Sequence, residues 1–184
     1  MEGILIIFLF MPFLAVHLLF NWVESKLDDY LQRKNKLNEG DLALSERRFE
    51  DALSFFKEQV LKSPKSAVFY QKRGKANFGL KNYYSALYDF EQSIMFDNTI
   101  GETYLLKGKA LYKIDEFDRA FVEFDKADWH FRGENAEALR WRGMARYYIN
   151  QEENARMDFQ KAVELGDEAS LYILRNKFGE TENA

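Results

Sequence analysis

The chain has 184 residues, 47% hydrophobic and 30% charged, which is enough for one domain with a core and too apolar for a disordered or low-complexity chain. A net charge of -4 supplies no basic field for nucleic acid, and with 0 cysteines there can be no disulfide frame, thiolate metal site or lipid-modified cysteine. Only 2 prolines and 10 glycines occur, which favours long helices over a turn-rich β fold.

The first predicted element covers residues 1–23. Gly3 to Phe20 reads GILIIFLFMPFLAVHLLF, with no charge and one strongly polar member, His17. Asn21 interrupts it, and Trp22 and Val23 carry its apolar character to the first charge, Glu24. At 1.5 Å per residue such a helix spans about 27–32 Å, close to the hydrocarbon thickness of a bilayer. Trp22 falls where an interfacial aromatic would sit. A cleaved signal peptide is disfavoured, because the Met-Glu start has no Lys or Arg and no small-x-small site comes after the run. The expectation is one transmembrane anchor helix. Pro12 sits at its middle, where a kink is tolerated, and His17 has no second polar partner within the span. Lys26, Arg33, Lys34 and Lys36 come after the run and no basic residue precedes it, so the positive-inside rule places the C-terminal domain in the cytoplasm of a single-pass membrane protein. The compact chain suggests a bacterial inner membrane.

Residues 24–38 contain no Gly or Pro, and Leu27, Tyr30, Leu31 and Leu37 form a partial helical stripe. They are expected to be a helical connector running from the anchor into the C-terminal domain.

Beyond the connector the sequence repeats. Gly40, Gly74, Gly108 and Gly143 are each followed by an alanine, Ala52, Ala86, Ala120 and Ala155, and then by Phe56, Phe90, Phe124 and Phe159. Each stretch has the form Gly-x11-Ala-x3-Phe, and all three series step by 34, 34 and 35 residues. Repetition at this period means a solenoid of paired antiparallel helices, A and B. Small residues suit the close approach of the two backbones, and the phenylalanine is expected to fill the space between neighbouring units. Phe49, Tyr83 and Phe117 open helix B, whereas the fourth unit has Glu152 there, which is expected to loosen its A–B turn. The register gives units 33–66, 67–100, 101–135 and 136–169, with one extra residue placed within Trp129–Asn135. Residues 170–178 read as an amphipathic capping helix, Gly179 as its stop, and 179–184 as a frayed tail.

These residues resemble the tetratricopeptide-repeat (TPR) family over residues 33–169. Tyr70 and Tyr104 match the family's aromatic four before the glycine; Ala127 and Ala162 match its later small residue, Ser93 nearly so; Pro64 matches its proline. Gln59 departs, and Glu39, Arg73, Lys107 and Arg142 replace the usual Leu before the glycine. The resemblance implies an all-α, right-handed TPR superhelix of about four helix-turn-helix repeats plus a capping helix, preceded by the transmembrane helix. It also implies a concave face lined by A helices. The positions that would line this groove are Gln71, Leu105 and Arg140, preceded by Leu37; Lys75, Lys109 and Met144; Phe78, Tyr112 and Tyr147; and Tyr148. They give an aromatic ladder (Phe78, Tyr112, Tyr147) beside a basic row (Lys75, Lys109, Arg140), a surface suited to a protein or peptide with acidic and aromatic groups. The two-carboxylate clamp of some TPR co-chaperones is not matched: its positions hold Leu37, Asp41, Lys72, Glu102 and Leu106, or Gln71, Lys75, Leu106, Glu137 and Trp141.

No catalytic chemistry is expected. His17 lies in the anchor and His130 in the loop after the third repeat, and no Walker loop, GxGxxG or HExxH is present. Asp28-Asp29 and Glu152-Glu153 read as solvated helix surface. The expectation is a non-enzymatic membrane-anchored scaffold or adaptor, needing no cofactor, metal, nucleic acid or small-molecule substrate. The alternative is a constitutive structural or assembly subunit of a membrane complex, using its anchor and convex face.

Overall fold

The computed structural model describes residues 17–28 and 39–179. Among the described residues the secondary structure is entirely helical. The chain divides into two compact units, one ending at Leu42 and one beginning at Ala43.

In the first unit residues 17–28 are helical and exposed. Leu18, Leu19, Phe20 and Trp22 all lie open, and the Asn21 amide stands 3.3 Å from His17 Nε2, one turn away. Among the described residues no helix is long and apolar enough to cross a membrane. Most of the expected span, including Pro12, lies outside the described residues, as do positions 29–38 of the connector, Leu37 among them, and the tail 180–184.

The second unit begins within a helix, α1 (residues 39–45). It continues with α2 (Phe49–Lys62), α3 (Ala67–Gly79), α4 (Tyr83–Phe96), α5 (Gly101–Tyr112), α6 (Phe117–Phe131), α7 (Ala136–Tyr148), α8 (Glu152–Glu164) and α9 (Glu168–Phe178). From α2 on, each helix packs on the next. Among the A helices, α3 also meets α5 and α5 meets α7, while the B helices α4, α6 and α8 meet one another marginally at most. This is the one-dimensional stacking of a solenoid, with the A helices on the inner side of the curve.

The steric logic of the repeat is explicit in the structure. A Cβ on Gly74 would lie 2.5 Å from the Phe90 ring, one on Gly108 2.6 Å from Phe124, and one on Gly143 2.9 Å from Phe159. Only glycine leaves room there. The four phenylalanines and their alanines are fully buried. Each of three rings also meets the unit beyond it: Lys72 stands over Phe56 at 5.8 Å, Trp141 stacks on Phe124 at 6.1 Å, and Phe178 lies 6.0 Å from Phe159. The phenylalanine therefore grips its own A helix as well as the neighbouring unit.

All four A–B turns are built alike. Arg47, Lys81, Asp115 and Asn150 take left-handed backbone angles, φ 60 to 62°. The next backbone N–H donates back to Ala43, Asn77, Leu111 and Arg146 at 2.8, 2.9, 3.1 and 2.9 Å. The expected loosening at Glu152 is thus corrected. The closing bond is made by backbone, and Asn150 tolerates the left-handed region better than Arg or Lys does. Where Phe78 meets Tyr83 and Tyr112 meets Phe117 edge-on, Tyr147 turns instead to Phe178 of α9. A second correction concerns His130. Helix α6 runs to Phe131, so His130 is helical and stacks on Tyr104 at 5.0 Å. Left-handed Arg132 and Gly133 come directly after it. Helix α9 buries Leu174 against Ala155 and Phe159 and ends at Gly179, φ 69°, whose N–H returns to the Leu174 carbonyl.

Candidate functional site

The inner positions on α3, α5 and α7 sort into three groups. Gln71 and Leu105 are buried; the Gln71 amide donates to Thr103 Oγ1 at 2.9 Å, itself fully enclosed. They serve the packing between repeats and do not line a groove, which corrects their expected role.

The basic row exists but is not free. Lys75 Nζ lies 2.7 Å from Glu102 of α5, and Lys109 Nζ lies 2.6 Å from Glu137 of α7. Arg140 pairs with Asp167, the residue capping α9, and lies 3.9 Å from Glu137. Each cation ties its A helix to the next. Within the first two pairs the acid is the more exposed member, Glu102 50% against Lys75 29% and Glu137 47% against Lys109 14%, so solvent meets carboxylate before ammonium. Partial burial disfavours the Glu137 carboxylate, yet Lys109, Trp141 and Arg140 outweigh this and hold the carboxyl below its ordinary range. Asp167 behaves likewise: burial opposes its charge, and bonds from Ser170 and Arg140 lower it on balance.

The aromatic positions do not form one ladder. Phe78 keeps to its own repeat beside Tyr83. Tyr112 and Tyr148 come together at 5.7 Å, and Tyr148 stacks on Phe117 at 4.4 Å. Trp141 meets Tyr112 at 5.2 Å, and Tyr147 lies 5.8 Å from Tyr148. Burial, then the neighbouring Tyr148, pushes the Tyr112 phenol well above its usual range. Tyr148 remains 46% exposed. Lys177 of α9 lies over the Tyr147 ring at 4.2 Å, and Met144 packs part-buried beside it. The result is a connected aromatic patch at the junction of the third and fourth repeats. Sequence reasoning missed Trp141 and Phe117 as members, and missed the acids. Glu102 and Glu137 recur six residues before their glycines, which was a readable signal.

A second charge system joins helices A and B. The cation before each glycine reaches the acid before each phenylalanine: Arg73 Nε to Asp89 at 3.0 Å, Lys107 to Glu123 at 3.4 Å, and Arg142 Nη2 to Asp158 at 2.7 Å. The dipeptides Asp89-Phe90, Glu123-Phe124 and Asp158-Phe159 carry this pattern in the sequence. Among the described residues no group of three or more His, Asp and Glu could hold a metal ion.

No protein-family model matches the chain. A curated relative, the "Protein SGT1 homolog" of Oryza sativa subsp. japonica, is 32% identical over 72 residues, 39% of this chain. The chain spans only 20% of that protein's length. Among solved structures, MamA superposes with a TM-score of 0.66 at 22% identity, covering 76% of this chain and 81% of MamA. The first TPR of Spaghetti (RPAP3), solved with the HSP90 peptide SRMEEVD, gives 0.59 at 20% identity, covering 62% of this chain and 91% of that one. At these identities the likeness shows the fold alone: an all-α, TPR-like helical-repeat solenoid.

Proposed function

We propose that the chain is a non-enzymatic, membrane-tethered scaffold that holds an extended or helical segment of a protein partner against its A-helix face, with 33–66, 67–100, 101–135 and 136–169 as its repeat units. The observation that carries this reading is the aromatic patch of Tyr112, Trp141, Tyr147 and Tyr148, part-exposed on α5 and α7. Rigid aromatic side chains make large contacts with little loss of conformational freedom. The fold is shared with a domain solved with a bound peptide, which supports the class of partner. The paired state of Lys75, Lys109 and Arg140 shifts the expected chemistry of that partner. Apolar and aromatic anchors fit the patch, and an acidic segment must compete with Glu102, Glu137 and Asp167 for the same cations. A C-terminal carboxylate clamp is unsupported, since Gln71 is buried and Lys75 is engaged.

Tethering is supported by the uncharged run Gly3–Phe20 and by the exposed apolar side chains of residues 18–23. The basic residues after it support a solenoid on the cytoplasmic side, of a bacterial inner membrane in our reading. Because the chain has 0 cysteines, a single cysteine at position 46 reports topology by labelling in intact and opened cells. Labelling in intact cells, or recovery of the chain without detergent, would overturn this part.

The binding face is tested with photo-crosslinkers placed in the full chain at Met144 and, on the opposite side, at Arg119. Adducts from Met144 that vanish in Tyr148→Ala support the A-helix face. Adducts from Arg119 alone favour the second reading, a constitutive subunit of a membrane complex. That reading has its own observation: Tyr84, Tyr88, Met95 and Trp129 of the B helices are 77, 55, 64 and 76% exposed.

A further inference from the structure

The seams between successive repeats share one architecture and differ in one component. Between the second and third repeats, Lys107 of α5 reaches Glu123 of its own repeat and also Glu91 of the preceding α4, both at 3.4 Å. Between the third and fourth, Arg142 of α7 holds Asp158 of its own repeat and takes Asp125 and Asp128 from the preceding α6 at 3.0 and 2.7 Å. Both cations are thus closed by carboxylates from the helix before. Between the first and second repeats, Arg73 commits Nε and Nη2 to Asp89. Helix α2 offers it no carboxylate: the positions equivalent to Asp125 and Asp128 hold Lys57 and Val60. Neither Arg73 Nη1 nor Lys57 Nζ has a hydrogen-bond acceptor among the described residues.

An open cavity of about 550 Å³ occupies this seam. Arg73 and Lys57 line it together with Asn82 and Ser85, and Tyr84 and Tyr88 stand at it with exposed rings. Asp89 and Asn77 form its floor, Asn77 donating to Asp89 at 2.8 Å. The cavity therefore holds two cations against one carboxylate that is already engaged.

We propose that this cavity is a binding site for a carboxylate supplied from outside the chain, which takes the place that Glu91 and Asp125 fill at the other two seams. An open guanidinium edge, an ammonium and neutral donors are the groups that recognise a carboxylate, and a tyrosine-flanked mouth suits the short apolar stem carrying it. A phosphate dianion fits less well, because it concentrates two charges on the one group that faces Asp89, which sits on the same arginine. The carboxylate can come from an Asp or Glu side chain of a protein partner or from a small dicarboxylic acid. The site lies away from the A-helix patch and does not depend on the reading given for it.

The test is calorimetric titration of the full chain in mild detergent with three probes: disodium succinate, an acetylated and amidated Gly-Glu-Gly peptide, and inorganic phosphate. Saturable binding of succinate or the peptide, tighter than that of phosphate, is expected, and the tighter of the two names the source. Lys57→Glu puts back the carboxylate that the sister seams possess. It should weaken binding more than about tenfold, the worth of one charge-assisted hydrogen bond, without lowering the melting temperature. Should that variant melt early, Lys57→Met removes the cation alone and is expected to weaken binding about as much. No saturable carboxylate binding, phosphate binding as tight as carboxylate, or unchanged affinity in a folded Lys57 variant would each overturn the proposal.

Discussion

Inside the second, third and fourth repeats a phenylalanine lies on a glycine so closely that a Cβ would sit 2.5 to 2.9 Å from the ring. Between repeats, charge pairs are added to the apolar packing, and these pairs vary from seam to seam. Arg73 has no acid from the helix before it, Lys107 has one and Arg142 has two. The difference shows how a repeat protein divides its constraints. The steric contact sets the angle between helices A and B and has one good solution, so it recurs unchanged. The ionic contact only has to balance charge across a seam, so individual seams are free to become sites.

The largest expected effect comes from the steric side of that comparison. Phe124→Ala removes a fully buried ring that touches both its own glycine and the next repeat, and is expected to destabilise the solenoid by about 3–5 kcal/mol. A loss below about 1 kcal/mol by thermal unfolding would mean that the ring is not what sets the repeat, since even a single methylene is felt in a close-packed core. Next comes the ionic contact inside a repeat. Asp158→Ala strands Arg146 and leaves Arg142 only Asp125 and Asp128; Asp158 holds both arginines at 2.7 Å with only 5% of its side chain exposed, and its loss should cost about 3 kcal/mol. If Asp158→Ala is neutral by the same measurement, the cations have found other acceptors and the distinction between the two contact types collapses. The half-exposed lysine–glutamate pairs on the A-helix face should matter less. Lys109→Met is expected to cost about 1 kcal/mol or less, and in NMR titration to move the Glu137 carboxyl back up towards its ordinary value. A Glu137 titration that stays put would show that Trp141 and Arg140 alone hold it down.

The smallest effect is in the pH dependence. Glu137 and Asp167 are both held below their ordinary values in the folded chain, so the unfolded chain takes up protons first as the pH falls. Their contribution is complete above the ordinary carboxylate value of about 4 and disappears as the pH drops through the lowered folded values. Denaturant midpoints measured from about pH 7 down to about pH 3 should fall within that acid window. The fall should be shallower in Lys109→Met. An identical slope in both proteins would remove the Lys109–Glu137 pair from the account.

The steric half of the molecule was readable in the sequence, because glycine, alanine and phenylalanine at one fixed spacing meet the needs of a close-packed helix pair and of little else. The ionic half was readable only in part. Lys75, Lys109 and Arg140 stand out as a basic row, but their partners lie 27, 28 and 27 residues away, and sequence alone does not say which acids turn towards them. The same blindness promoted Gln71 and Leu105 to the groove, when neighbouring repeats bury them. His130 was misplaced into a loop because the extra residue of the third unit was put within Trp129–Asn135, whereas α6 continues through His130 to Phe131 and no proline or glycine before Gly133 announces its end.

The left-handed residue in each A–B turn has a practical consequence. Arg47, Lys81 and Asp115 hold a backbone conformation that an L-residue with a Cβ adopts at a penalty of roughly 1 kcal/mol, and none of them packs in the core. Replacing them with glycine, singly or together, should stiffen the array one unit at a time while leaving every interhelical surface untouched. Because stability in such arrays is close to a sum over units and their neighbours, the three positions act as independent dials. They offer a way to ask whether binding at the proposed A-helix face depends on how readily the individual repeats open.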